Sequence, residues 1–303
     1  MDDFSNFDDV VQPFRIERSG LRGRMARLGP ALESILVPHR YPASVAGLLS
    51  ETVILAAVLS SALKYDGIFT LQTQGDGPIN LMVADVTSGG DLRGYARFSR
   101  RRVAEAEAAL GGPVPRLLGS GHLAFTVDQG PDTERYQGIT DLAGATMTDC
   151  ANNYFRQSEQ MESAIVLATS AGDEEGPIRA AALTLQRLPP EAGADRDQLV
   201  EEWRHAVILM SSITATELLD GGISPRQILW RLFHDDGVRV YKPRPLHHAC
   251  RCSRAKVDQT LRSFPRKEIE AMAVGNVITV TCEFCKADYV FDQAALDALY
   301  PSS

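Results

Sequence analysis

Along the first two-thirds of the chain, the spacing of apolar positions switches repeatedly between two and three-to-four. This predicts strands interleaved with helices. "ALESILVPHRYPA" predicts a helix stopped by Pro38 and Pro42. The longest apolar run, around 43–64, predicts a second helix. "IFTLQTQGDGPINLMVADV" predicts two strands around a Gly75-Asp76-Gly77-Pro78 turn. "GYARF" adds a strand, and "RRVAEAEAALGG" a helix ending at Gly111. "HLAFTVDQGPDTERYQGIT" is a further strand–turn–strand, and "ATMTDCANNYFRQSEQM" a helix. "SAIVLAT" and "IRAAALTLQRL" pair around the acidic turn "SAGDEEGP". Strands joined by short turns pair antiparallel, so the fold class expected is α+β.

"PPEAGADRD" at 189–197 breaks this composition and marks a boundary. Beyond it, Val200, Trp203, Val207, Met210 and Ile213 recur at helical spacing. "ISPRQILWRLFHDDG" carries a helix start: Ser224 as N-cap, Pro225 at the first helical position, Gln227 completing a capping box, and Gly237 as the stop. Residues 198–237 therefore read as a helical connector rich in apolar surface. That surface either packs permanently on the first domain or packs there conditionally.

Charge and composition narrow the class. The chain has 303 residues, 44% hydrophobic, enough for two domains with a real core. Its net charge of −8 and pI near 5.3 argue for solubility and against a whole-protein nucleic-acid binder. The acidic start, with Asp2, Asp3, Asp8 and Asp9, reads as solvated and lacks the pattern of a signal peptide. Glu51 and four serines interrupt the apolar run 41–67, which reads as a buried helix rather than a membrane span. A cytoplasmic location is expected, where thiols stay reduced. Residues 240–290 lean basic, through Lys242, Arg244, Arg251, Arg254, Lys256, Arg262, Arg266, Lys267 and Lys286.

Of five cysteines, Cys150 shares a helical stripe with Met147 and Tyr154 and reads as a small core residue. The other four, Cys250, Cys252, Cys282 and Cys285, form a C-x-C and a C-x-x-C separated by 29 residues. Two close pairs at this spacing read as a four-thiolate zinc site, one ion per chain. "NVITVTCEFCKADYVF" puts its pair at a strand–turn–strand. His247 and His248 are near enough to compete as ligands, but read as outer or solvated groups. In an extended chain Cys250 and Cys252 point to one side, with Cα atoms about 6.6 Å apart. A disulfide between them is possible after a bend, strained and easily reduced. The site thus reads as structural when reduced and, on oxidation, open to use as a switch.

These segments together resemble the thirty-three-kilodalton redox-regulated bacterial heat-shock chaperone family, a zinc-thiolate holdase. The resemblance rests on "LKYDGIFTLQTQGDGPINLMVADV", "ERYQGITDL", "YFRQSEQ", "ILWRLFHDDGVRVY", "CRCSR" and "CEFCKADYVF". It implies an N-terminal α+β chaperone core over 1–188, a helical metastable linker over 189–249, and a C-terminal zinc-binding redox-switch domain over 250–303. Cys250, Cys252, Cys282 and Cys285 would hold zinc in the reduced state. Oxidation would give Cys250–Cys252 and Cys282–Cys285 disulfides, release the metal and unfold the linker. Val200, Trp203, Val207, Ile228, Leu229, Trp230 and Phe233 are the candidate linker and client surface. The partners expected are unfolded or partly unfolded client proteins and, when oxidised, a second copy in a homodimer; neither nucleic acid nor membrane is expected.

Two other classes compete on the residues alone. A nucleic-acid-binding zinc module would use the basic bias of 240–290, but few aromatics lie among those charges. A thiol oxidoreductase using Cys282 and Cys285 would need a βαβ context, where the sequence offers a hairpin. No Ser/His/Asp set or phosphate loop is present, so the chain reads as a non-enzyme.

Overall fold

The computed structural model describes residues 7–130, 133–159, 161–172, 176–187 and 195–300. The acidic residues 1–6, the centre of the "SAGDEEGP" turn and most of the 189–197 boundary lie outside them. The chain divides into two compact units, 1–248 and 249–303.

The first unit is layered. One sheet runs in the order Val238–Val240, Val10–Ile16, Arg22–Leu28, Ile178–Gln186, Ser163–Ala171, with every neighbouring pair antiparallel. The second runs His247–His248, Asp91–Phe98, Ile79–Thr87, Ile68–Gly75, Gly121–Asp128, Tyr136–Asp141. It is antiparallel except where His247–His248 joins Asp91–Phe98. Helix Ala43–Ser60 contacts strands of both sheets. It is long and apolar enough to cross a membrane, but it is the core helix of this unit, buried on every side from Thr52 to Ser60. Its hydroxyls are satisfied within the helix: Ser50 donates to the Ala46 carbonyl, Thr52 to Leu48 and Ser60 to Ala57. A helix surrounded by protein needs no polar face, hence the continuous apolar run.

The first sheet is covered on its other face as well. Ala180 and Ala182 belong to the core around the central helix, whereas Ala181, Leu183 and Leu185 belong to a second core. That second core is completed by Ala206, Met210, Leu218, Ile228, Leu229, Leu232 and Phe233, from helices Arg196–Ser211, Ala215–Leu219 and Pro225–Phe233. Strand Ile178–Gln186 is buried on both faces, which accounts for its nearly unbroken apolar sequence.

The "QGDGP" hairpin ends against the segment Val114–Gly119. Gly77 donates its N–H to the Leu118 carbonyl at 2.8 Å, and Asp76 Oδ1 accepts from Ser120 N–H at 2.8 Å. A Cβ on Gly77 would sit 2.4 Å from the Leu118 backbone, so this approach requires glycine.

Glu51 is the one acid inside the central helix's apolar run. Burial pushes its carboxyl up from the usual 4.5 to about 7, against a hydrogen bond from the Met147 N–H that favours the charged form. The folded state therefore keeps this proton over a pH range where the unfolded chain has lost it. The associated stability is present below pH 4.5 and is lost as pH rises to about 7. Glu51→Gln is expected to raise stability at pH 8, by up to about 3 kcal/mol, with the gain vanishing near pH 4.5. Thermal melts across pH check this; parallel curves for the two proteins would contradict it.

Candidate metal centre

The second unit is small. Its core consists of Leu261, Ile269, Ile278, Phe291, Leu296 and Leu299, from three short helices and the hairpin Ile278–Thr281/Asp288–Phe291. Six buried apolar side chains supply too little burial to hold about fifty residues without a further constraint.

The hairpin turn carries Cys282 and Cys285. Cys282 N–H donates to the Ala287 carbonyl and Lys286 N–H to the Cys282 carbonyl, both at 2.9 Å. Lys286 adopts φ +59°, the left-handed conformation that closes this tight turn. The turn aims N–H groups at sulfur: Phe284 and Cys285 toward Cys282, and Ala287 toward Cys285. Cys250 and Cys252 lie on the stretch before helix Arg254–Arg262, whose N-cap is Ser253. Arg254 ties that helix to the hairpin, stacking over Phe291 at 3.7 Å and donating to the Val290 carbonyl at 2.8 Å.

All four sulfurs lie within 4.8 Å of one another, with Cys250 Sγ 3.7 Å from Cys282 Sγ and Cys252 Sγ 3.4 Å from Cys285 Sγ. A tetrahedral ion with metal–sulfur bonds near 2.3 Å requires sulfurs about 3.8 Å apart. The four positions match that requirement, and none is in a disulfide. Titration adds a second argument. Burial raises the Cys250 thiol, but the Cys252 N–H and the neighbouring thiols outweigh this and bring it down to about 7. Cys282 is pushed up, and Cys285 up to about 12, by burial and the sulfurs around them. The protein's own groups thus favour the thiolate at Cys250 and oppose it at Cys282 and Cys285. Four together need a cation at the centre.

Tyr289, on the strand leaving the turn, hydrogen-bonds Cys252, and with burial this pushes its hydroxyl up to about 12. Sequence reasoning missed Tyr289, and the usable signal was its place four residues after Cys285 in a period-two strand. His247 and His248 pair with Asp91 and Leu92 in the first unit. Cys150 is fully buried with Met147 and Tyr154, its thiol raised to about 11 by burial and by Asp149.

The linker candidates separate by exposure. Ile228, Leu229 and Phe233 are buried against the first sheet, with Phe233 stacked on Phe14 at 5.8 Å. Trp203 and Val207 are half-buried, and Val200 and Trp230 are exposed. The capping box forms as read, with Ser224 Oγ accepting from Gln227 N–H and Gln227 Oε1 accepting from Ser224 N–H. Two polar latches hold the connector. Arg27, fully buried, donates to the Leu218 and Ile223 carbonyls at 3.1 and 2.9 Å. Asp236 accepts from Arg18 and meets His205 Nε2 at 2.9 Å.

Comparison with known proteins agrees with this arrangement. The sequence model of the family described as Hsp33 protein matches residues 9–292. The 33 kDa chaperonin of Caulobacter vibrioides is 39% identical over 289 residues, covering 94% of this chain and 95% of its own. That of Ectopseudomonas mendocina is 34% identical over 295 residues, covering 97% and 95%. The crystal structure of the heat shock protein 33 homologue from Thermotoga maritima superposes with a TM-score of 0.79 at 23% identity, over 96% of this chain and 97% of that one; it supports the fold. The chain belongs to the Hsp33 family.

Proposed function

We propose that this protein is a cytoplasmic holdase chaperone for unfolding proteins, kept inactive by zinc on Cys250, Cys252, Cys282 and Cys285 and activated by oxidation. The carrying observation is the cluster of four sulfurs in a unit whose apolar core is too small to stand alone. An all-sulfur tetrahedral donor set suits zinc, which also has no redox chemistry of its own to compete with that of the thiolates. Oxidation takes two electrons from each cysteine pair, forms Cys250–Cys252 and Cys282–Cys285 disulfides and passes four electrons to two peroxides, giving water. No thiolate then remains to hold the ion. The unit loses its constraint, and the linker over 189–249, which runs directly into Cys250, is left continuous with an unfolded segment.

The connector is suited to release. Its helices carry apolar residues on both faces: Leu229 and Phe233 buried, and Val200, Ile208 and Trp230 between 51% and 63% exposed. Undocking bares the buried face together with its sheet, an apolar area of the kind that grips unfolded chains. Aggregation of a heated client protein should be unaffected by the reduced, zinc-loaded protein and suppressed after peroxide, with zinc release in the same interval. Dithiothreitol plus zinc should reverse both. Suppression of equal strength before and after oxidation would overturn the proposal.

A further inference from the structure

Between the two sheets of the first unit, beyond the end of the central helix, lies a cavity of about 180 Å³. Its walls are apolar and largely aromatic, including Leu59, Phe69, Phe125, Tyr154 and Phe155. One end is different. Arg22 and Arg24 line it together with Gln186. Along its strand, Arg24 alternates with Met25 of the outer core and shares the parity of Ala26 and Leu28, which face the central helix.

Arg24 has no carboxylate partner among the described residues. Its Nη1 donates to Gln186 Oε1 at 3.3 Å, a neutral acceptor, and its Nε is buried with no hydrogen-bond partner. Among the described residues no carboxylate pairs with Arg22, Arg24 or Arg244. Burial, with Arg244 and Arg22 close enough to repel, brings the Arg24 guanidinium down to about 10. A half-buried guanidinium beside apolar side chains ordinarily finds a carboxylate, because an unpaired charge in such surroundings is costly. Two arginines, Arg22 and Arg24, with no acid on them among the described residues, beside an aromatic cavity amount to half of a binding site.

We infer that this cavity binds a small aryl carboxylate, its ring among Phe69, Phe125 and Tyr154 and its carboxylate on Arg24. Size sets the class. An apolar cavity of about 150 Å³ takes up one benzene, so 180 Å³ accommodates one ring with a short acid arm. Charge sets the head group, since the guanidinium fork donates two charge-assisted hydrogen bonds to a carboxylate. The same chemistry, a phenyl ring with a carboxylate, occurs at the end of a polypeptide terminating in Phe. A volume of about 180 Å³ holds one ring and a short arm but not a preceding peptide residue as well, which favours the free small molecule.

Calorimetric titration of the reduced, zinc-loaded full chain tests this, with phenylacetate as probe, 2-phenylethanol as its neutral counterpart and a peptide ending in Phe with a free carboxylate. Phenylacetate should bind saturably at one site. The alcohol, and phenylacetate on Arg24→Met, should each bind at least about tenfold more weakly. Ala62→Phe, which fills the cavity and leaves both arginines in place, should abolish binding; it keeps the test informative if Arg24→Met does not fold. Absence of saturable binding, equal affinity for acid and alcohol, or undiminished binding by either folded variant would overturn the inference. Binding of the peptide without phenylacetate would overturn the small-molecule assignment.

Discussion

Replacing Cys250, Cys252, Cys282 and Cys285 together by serine should reduce bound zinc from about one ion per chain to none and unfold the second unit. This is the largest effect expected from any change in the protein. A structural zinc site contributes an apparent ~10–16 kcal/mol to the folding of a small module. A core of six buried apolar side chains in some fifty residues is too small to hold the unit without that contribution. The serine variant should lose the amide protection of the Ile278–Thr281/Asp288–Phe291 hairpin while the sheets of the first unit keep theirs. Metal analysis with hydrogen exchange checks both halves. Undiminished zinc would refute the ligand set, and an intact hairpin without zinc would refute the metal's structural role.

The parts of this protein legible in its sequence are those governed by local rules. The three strand pairs of the first unit appear where alternation and turn residues placed them, and the helix at Pro225 begins with the capping box read from Ser224 and Gln227. The four cysteines gather as their spacing indicated. Long-range pairing was less legible. Strands Val10–Ile16 and Arg22–Leu28 went unremarked, since both faces of their sheet are covered and Arg22, Arg24 and Arg27 interrupt the apolar pattern. Arg27 is fully buried because it caps carbonyls almost two hundred positions away, a partner no local window contains. The helix predicted over "ATMTDCANNYFRQSEQM" is α-helical from Met147 to Tyr154 and continues as a wider π turn from Phe155. Tyr289 escaped notice because nothing but its register brings it to Cys252.

The second large effect concerns the connector. Leu229 has no exposed surface and packs in the core that also holds Phe14, Met25, Leu183 and Phe233. Truncating such a leucine costs about 2–5 kcal/mol, and a carboxylate there adds the cost of an unpaired buried charge. Leu229→Asp should therefore undock helix Pro225–Phe233 from the sheet, while the sulfur cluster, at least twenty-one positions further along the chain, keeps its ligands and its metal. If exposure of this apolar face is what holds clients, the variant should suppress client aggregation while fully reduced, well above the level of the reduced parent.

Leu229→Asp also separates the exposure of the connector from the chemistry of the cysteines. The decisive measurement follows amide exchange across 196–233 and client aggregation in one reduced, zinc-loaded sample of this variant. The account predicts fast exchange in 196–233, zinc retained at about one per chain, and aggregation suppressed without oxidant. Fast exchange with no client holding until peroxide is added would contradict it, because the client site would then be made by the disulfides and not by release of the connector.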